Sequence, residues 1–162
     1  MEMADLNPPR LGVLARLLVR ALADRTRAEL AVAGFPDLRP VHTVVLGQLG
    51  EEGARITDMA ARSGITKQAV TLLVDYLEAR GYVGRVADPH DGRAKLVQLT
   101  DRGRAAAATA NRIADEIEHT CATQIGAERL AHLKETLRVL GASLRTGEPG
   151  GGGVSPGAQS HH

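Results

Sequence analysis

The sequence has 162 residues, which is enough for one domain of ordinary size, or for two only if both are very small. It contains one Phe, two Tyr and no Trp, so the core must be aliphatic. This composition favours Ala- and Leu-rich helices over a sandwich or barrel, and it argues against binding of single-stranded nucleic acid by stacking. The single cysteine, Cys121, excludes an intramolecular disulfide and a cysteine-rich zinc cluster.

The net charge of +1 is unevenly distributed along the chain. Residues 55–104 carry nine Lys and Arg against six acids, a net charge of +3, whereas residues 1–54 and residues 105–162 each carry −1. A surface that binds nucleic acid is therefore expected in the central third. The Leu-rich stretch 11–22 is interrupted by arginines, which makes it too charged for a signal-peptide core and too short to span a bilayer, so we expect a cytoplasmic protein.

Hydrophobic periodicity and capping residues predict a mainly helical chain. The predicted helices cover residues 10–33, 38–49, 58–62, 67–80, 100–125 and 127–144. Thr57, Thr66 and Thr100 are the predicted N-caps, and Gly81 is the residue expected to end the fourth helix. Because two β-prone runs, 82–87 and 95–99, flank a segment rich in turn residues, a β-hairpin with a polar tip is expected between the fourth and fifth helices.

The third and fourth predicted helices are separated by a three-residue break, which is the arrangement of a helix-turn-helix. Apolar residues of the fourth helix recur at i, i+3, i+4 and i+7, so its other face is expected to point outward. A helix that enters a major groove by its N-terminus brings such outward side chains to base edges. The residues predicted to bind DNA on this helix are Thr66, Lys67, Gln68, Ala69, Thr71 and Leu72.

The predicted hairpin adds two basic residues to this surface. Arg93 lies at its tip and Lys95 on the returning strand, and an arginine at the end of a two-stranded ribbon has the reach to enter the adjacent minor groove. The fold class is therefore mainly α with a small β-hairpin wing: a winged helix-turn-helix with a helical dimerisation region.

Residues 65–83 resemble the recognition helix of the MarR family of bacterial transcription regulators, and residues 88–103 resemble that family's wing and the start of its next helix. The resemblance implies a winged-helix homodimer that binds a pseudopalindromic operator, usually as a repressor released by a small ligand or by oxidation. It also implies that Arg93 is the minor-groove arginine and that Asp91 is the carboxylate supporting it. Many members carry Arg where this sequence has Leu72, which puts the operator sequence in question.

Dimerisation is predicted from an excess of aliphatic residues outside the winged segment. The residues expected at the interface are Leu11, Leu14, Ile113, Ile117, Leu130, Leu133, Leu137 and Leu140. An intramolecular helical hairpin would bury some of the same residues, and both arrangements are compatible. In a family-like dimer the two recognition helices would lie about 34 Å apart, which is one turn of DNA.

An effector pocket is predicted with less detail, from polar residues near the crevice that similar proteins use. Arg16, Arg20, Asp24 and His42 are the candidates, with surface ion pairs or a helix-face histidine as the alternative. The scarcity of aromatic residues favours an aliphatic pocket in which an arginine binds an anion.

No metal ion or other cofactor is expected. Cys121 is interpreted as a structural cysteine rather than a peroxide sensor. His119 and His132, with neighbouring glutamates, do not have the spacing of a zinc motif. No nucleotide-binding loop or nucleophile–base pair indicates an enzyme. The alternatives to a ligand-released regulator are a winged-helix module for protein contacts and a metal- or redox-responsive regulator.

Four segments are predicted along the chain. Residues 1–33 contain the N-terminal helix of the dimerisation region, and residues 34–104 form the winged helix-turn-helix DNA-binding domain. Residues 105–145 form the C-terminal dimerisation helices, and residues 146–162 form a disordered tail rich in Gly, Pro and Ser.

Overall fold

Six helices and one two-stranded hairpin make up the part of the chain that the computed structural model describes, which is residues 9–146 with side chains through Leu144. The predicted tail from residue 147 onward lies outside the described residues. The elements are α1 (Leu11–Val32), α2 (Pro40–Leu46), α3 (Ile56–Ser63), α4 (Lys67–Ala79), β1 (Val83–Asp88), β2 (Asp91–Leu99), α5 (Asp101–Ile125) and α6 (Ala127–Thr146). The expectation of a mainly helical winged fold is confirmed.

Several element ends follow from local chemistry. The Thr66 hydroxyl accepts a hydrogen bond from the Ala69 amide at 3.2 Å, so Thr66 caps α4 as predicted. Thr100 caps α5 in the same way, because its hydroxyl accepts from the Gly103 amide at 3.0 Å. Gly81 follows α4 with φ of 71°, which is the left-handed conformation that glycine adopts at least cost.

Three predicted positions are wrong. Helix α3 starts at Ile56 with Arg55 as its N-cap, so Thr57 lies inside the helix rather than capping it. Helix α2 is shorter than expected, because Pro40 occupies its first position and the helix ends at Leu46. The turn of the hairpin contains only Pro89 and His90, so Arg93 lies within β2 rather than in the turn.

The strands pair antiparallel from Val83 opposite Leu99 to Ala87 opposite Lys95, with a register shift between Ala87 and Asp88. A further antiparallel β-bridge joins Ala54 to Val97, so the segment before α3 pairs with β2 at this one position. Gly53 makes this approach possible, since a Cβ there would lie 2.5 Å from the Val97 carbonyl oxygen. The wing is therefore attached to the polypeptide that leads directly into the helix-turn-helix.

Contacts divide the chain into one unit ending at Ile117 and a second beginning at Glu118. The core of the first unit is aliphatic, as the composition requires, with Tyr82 as its one fully buried ring among the described residues. Val70, Val74 and Leu77 of α4 are each at most 1% exposed. In the second unit, Lys134 of α6 pairs with Glu118 at 2.7 Å.

Candidate nucleic-acid interface

The outward face of α4 carries the side chains predicted to read DNA. Lys67, Gln68 and Leu72 are exposed, and Leu72 is 69% exposed although it is a large apolar residue. Thr71 is partly buried and its hydroxyl donates to the Lys67 carbonyl at 2.8 Å. The hydroxyl of Thr66 is engaged as the helix cap, and Ala69 is partly buried. Lys67, Gln68 and Leu72 are thus the α4 side chains most available to a ligand.

Two acids of α4 are held by one arginine of the wing. Arg85 of β1 pairs with Asp75 at 2.5 Å and also with Glu78. The hydrogen bond to Asp75 is the main cause that raises the pKa of Arg85. Because these carboxylates are on the helix predicted to bind DNA, their neutralisation reduces the repulsion that a nearby phosphate backbone would meet.

The wing presents two free cations beside this helix. Arg93 and Lys95 are both exposed, and neither forms an ion pair with any residue in the described part of the chain. The Asp91 carboxylate accepts a hydrogen bond from the backbone amide of Arg93 at 3.2 Å. The structure therefore brings Asp91 to the backbone of Arg93, and the guanidinium of Arg93 is left available.

Arg55 is a residue of this region that sequence reasoning missed. Its guanidinium contacts Asp88 through Nε at 2.8 Å and Nη2 at 2.6 Å, and it lies 3.6 Å from Asp91. Asp88 is 5% exposed, and its other oxygen accepts from the His90 amide at 2.8 Å. The His90 amide first, and then Arg55, lower the pKa of the Asp88 carboxyl.

A stack of three side chains attaches the other end of α4 to α2. The rings of His42 and Tyr76 are 4.2 Å apart and nearly parallel, and the Arg80 guanidinium lies 3.5 Å from the Tyr76 centroid on that ring. His42 is buried, and its Nδ1 accepts from the Arg39 amide at 3.0 Å, so its neutral form completes the first turn of α2. Burial first, then the charges of Arg39 and Arg80, lower the pKa of His42, while Asp37 raises it.

Asp37 links this stack to the start of the wing. Its backbone carbonyl accepts from the Tyr76 hydroxyl at 2.6 Å, and its carboxylate accepts from the Tyr82 hydroxyl at 2.7 Å. Arg102 donates to the same Tyr82 oxygen at 3.0 Å and lies 4.5 Å from the ring centroid. Burial is the main cause that raises the pKa of Tyr82. Tyr76, in the last turn of α4, and Tyr82, just before β1, are thereby both hydrogen-bonded to Asp37 in the α1–α2 loop.

The four residues predicted for an effector pocket do not line one cavity. Arg16 and Arg20 are exposed on α1, and Arg20 lies 3.8 Å from Asp24. His42 is in the stack described above. Asp24 instead lines a cavity of about 540 Å³ beside the α1–α2 loop. Its other lining residues are Arg27, Ala28, Ala31, Pro36, Leu38 and Arg39.

Other candidate positions are outside this region. Cys121 is partly buried rather than fully buried. In residues 9–146 no group of three or more His, Cys, Asp or Glu is placed to hold a metal ion, which includes the surroundings of His119 and His132. None of the helices described here is long and apolar enough to cross a membrane.

Comparison with known proteins agrees with this geometry. A model of the MarR family matches residues 37–94. The HTH-type transcriptional regulator TcaR of Staphylococcus aureus (strain Newman) is 29% identical over 105 residues, which are 63% of this chain and 69% of TcaR. The S. aureus MepR–DNA complex has a TM-score of 0.73 at 24% identity and covers 83% of this chain and 98% of MepR, a likeness of fold.

CouR of Rhodococcus jostii RHA1 is similar in two solved states. In the structure with a 23-mer DNA duplex, this transcriptional repressor is 26% identical to this chain and has a TM-score of 0.71. The match covers 87% of this chain and 98% of the CouR chain. Bound to p-coumaroyl-CoA, it has a TM-score of 0.67 and covers 86% of this chain and 95% of its own.

The fold and the basic outward surface define the protein as a DNA-binding transcriptional regulator of the winged helix-turn-helix class. Within that class, the chain is similar to the MarR family, whose model matches residues 37–94.

We predict that His42 makes the stability of the fold depend on pH. Because folding lowers the pKa of His42 below its ordinary value of 6.5, the unfolded chain takes up the proton first. The free energy of unfolding should therefore fall as pH drops through 6.5 and stop falling below the folded-state pKa. Urea denaturation at a series of pH values measures this.

The matched variant is His42→Gln, since a glutamine at the third helical position also accepts from the N-cap amide but does not titrate. In this variant the part of the pH dependence due to His42 should disappear. Identical pH profiles for the wild type and His42→Gln would contradict the prediction.

Proposed function

We propose that the protein is a sequence-specific repressor that binds a pseudopalindromic operator as a homodimer and is released by a small ligand. DNA recognition is proposed from one observation: the exposed face of α4 occurs together with two wing cations that form no ion pair among the described residues, Arg93 and Lys95. The repressor role is supported by CouR, which is described as a transcriptional repressor. The proposal assigns no catalytic step to the chain, in keeping with relatives that are transcriptional regulators.

The proposed DNA contacts follow from side-chain chemistry. Gln68 has the donor and acceptor pair that matches adenine in the major groove, and Lys67 matches the guanine acceptors. Leu72 offers an apolar contact for a thymine methyl group. Thr66, Ala69 and Thr71 bring the helix backbone and their short side chains to the same groove. Arg93 enters the adjacent minor groove, where the negative potential is greatest over narrow A·T-rich steps, and Lys95 contacts phosphate.

The proposed segments keep their sequence-derived boundaries. Residues 34–104 form the DNA-binding domain, flanked by dimerisation segments 1–33 and 105–145. The neutralisation of Asp75 and Glu78 by Arg85, and of Asp88 and Asp91 by Arg55, lies wholly within the DNA-binding segment. Lys67, Arg93 and Lys95 are then exposed cations without an ion pair among the described residues, as are Arg39 and Arg62 of the same segment.

We predict that Arg93→Ala lowers the affinity for the operator by about tenfold, since one well-placed base-level contact contributes about 1–3 kcal/mol. Fluorescence anisotropy with DNA from upstream of the protein's own gene measures the effect. Binding should weaken steeply with salt, because phosphate contacts release counterions. In a promoter–reporter strain the wild type should lower transcription, and Arg93→Ala should lower it less.

Arg112→Ala is the control, because it removes one positive charge from α5, outside the DNA-binding segment and outside α1 and α6. It should leave operator affinity unchanged. A wild-type protein with no preference for operator over random DNA at physiological salt would contradict the proposal. That result would favour the protein-contact module instead, for which exposed Leu72 is the supporting feature.

Dimerisation is proposed from the exposed leucines of α1 and α6, each helix taken by itself. On α1, Leu11, Leu14 and Leu17 are 48–59% exposed, which is unusual for a row of leucines in one helix. On α6, Leu133, Leu137 and Leu140 are 38–42% exposed, and Leu130 is partly buried. Ile113 and Ile117 are buried within the single chain, so α1 and α6 carry the proposed interface.

We predict a dimer in size-exclusion chromatography with light scattering at micromolar concentration. Leu14→Glu and Leu137→Glu should each shift the mass toward a monomer or unfold the chain, because an interface of this kind tolerates no buried unpaired charge. Val86→Glu changes an exposed valine of the wing and should leave the mass unchanged. A stable, folded wild-type monomer would contradict the proposal.

Ligand release is proposed to start from the cavity beside the α1–α2 loop. Arg27 and Arg39 supply positive charge, and Ala28, Ala31 and Leu38 supply an aliphatic wall. This combination suits a small carboxylate better than a planar aromatic ligand, which would find no ring to stack on among the lining residues. The bound p-coumaroyl-CoA of CouR supports an anionic ligand in this family.

We predict that a screen of small carboxylates will find one that raises the melting temperature of the wild type and releases the protein from DNA. A ligand of the native state stabilises that state by mass action. The double variant Arg27→Ala/Arg39→Ala should lose both responses. Arg16→Ala is the control, since Arg16 is exposed on α1 and does not line the cavity. A carboxylate that releases the wild type and the double variant equally would place the ligand elsewhere.

A further inference from the structure

Arg55 connects the helix-turn-helix to the tip of the wing. It is the N-cap residue of α3, and its guanidinium reaches Asp88, 33 positions further along the chain. The guanidinium places both Nε, at 2.8 Å, and Nη2, at 2.6 Å, on the same oxygen of Asp88. An arginine fork of this kind fixes direction as well as distance, which a lysine in its place would not do.

The turn of the wing depends on this ion pair, because Asp88 is buried. Only 5% of Asp88 is exposed, and it lies at the register shift between the strands. One of its carboxylate oxygens is bound by Arg55 and the other by the His90 amide. Without Arg55 a buried carboxylate would lose its counter-charge, which the chain avoids by exposing the group to water. The turn at Pro89 and His90 would then have to rearrange.

The same arginine extends to the residue that holds the backbone of Arg93. Asp91 Oδ2 lies 3.6 Å from Arg55 Nη2, and Asp91 Oδ1 accepts from the Arg93 amide at 3.2 Å. Arg55, Asp91 and Arg93 thus form a chain of contacts from α3 to the proposed minor-groove residue.

A second attachment keeps the hairpin from rotating about this one. The Ala54 amide donates to the Val97 carbonyl at 3.0 Å, and the Val97 amide donates to the Ala54 carbonyl at 2.9 Å. Adjacent residues therefore hold the wing at two places: Ala54 at the middle of β2 and Arg55 at the tip. Two points of attachment define the angle of the hairpin relative to α3.

We propose that Arg55 is a positioning residue for DNA binding: it neutralises Asp88 and Asp91 and fixes the wing so that Arg93 reaches the minor groove, without contacting DNA itself. This inference deepens the proposed function and rests on it. The rival role for Arg55, which is 38% exposed at its side chain, is a direct contact with a phosphate.

A double-mutant cycle of Arg55→Ala and Arg93→Ala, measured by operator anisotropy, separates the two roles. If Arg55 acts through the wing, each single variant loses about tenfold in affinity, and the double variant loses little more than either one. The slope of log Kd against log salt concentration should be the same for the double variant as for the single variant Arg93→Ala. A direct phosphate contact instead gives additive losses and a slope reduced by about one ion.

Asp88→Asn gives a test of opposite sign. It removes a negative charge and frees Arg55, so a phosphate-binding Arg55 would gain operator affinity. A positioning Arg55 predicts that Asp88→Asn loses affinity, because the wing is no longer held.

Arg112→Ala is the matched control: Arg112 forms an exposed ion pair with Glu116 at 2.6 Å on α5, and the variant removes the same charge as Arg55→Ala.

Hydrogen exchange on the free protein supplies a readout that does not require DNA. In Arg55→Ala and Asp88→Asn, the amides of residues 90–93 should exchange faster than in Arg112→Ala, while the amides of α4 keep their protection. Unchanged exchange at residues 90–93, or additive losses of affinity in the double-mutant cycle, would overturn the role of Arg55 but not the proposed function. A wild type that binds no operator specifically would overturn the proposed function, and the role of Arg55 in DNA binding would fall with it.

Discussion

Burial of one face of α4 is the constraint on which the rest of the surface depends. Val70, Val74 and Leu77 are almost completely removed from water, and a helix turns by a fixed angle per residue. Once these side chains point inward, Gln68 and Leu72 on the opposite side must point outward, and Lys67 is exposed as the first residue of the helix. The His42–Tyr76–Arg80 stack and the hydrogen bonds of both tyrosines to Asp37 then hold the far end of the helix against the α1–α2 loop.

Charge pairing within the DNA-binding segment decides which cations remain available. Arg85 holds the acids of α4, and Arg55 holds the acids of the wing tip. Arginine is suited to both tasks because its planar fork binds carboxylates in a defined direction. Lys67, Arg93 and Lys95 are therefore exposed cations without an ion pair among the described residues, as Arg62 also is, whereas Arg55 and Arg85 are engaged within the segment.

Local patterns predicted most of the fold. The i, i+3, i+4 and i+7 spacing identified α4, and Thr66 and Thr100 were correct as caps because capping involves residues only three apart. The Thr57 cap was wrong because α3 begins at Ile56 after Arg55, whose side chain makes no cap hydrogen bond, so no capping residue marks this helix start in the sequence. The Arg55–Asp88 pair was not predictable from spacing, since its members are 33 residues apart and neither belongs to a periodic stripe. The cavity residues Arg27 and Arg39 were missed for the same reason: only the folded α1–α2 loop brings them to one wall.

Chemical footprinting with dimethyl sulfate distinguishes contacts in the two grooves, because this reagent methylates guanine N7 in the major groove and adenine N3 in the minor groove. The wild type should protect N7 positions in two half-sites about one turn apart, with protected adenine N3 positions beside each. In Arg93→Ala the minor-groove protection should disappear while the major-groove protection remains. Minor-groove protection that persists in Arg93→Ala, or protection confined to one groove in the wild type, would contradict the assignment of α4 and the wing to their grooves.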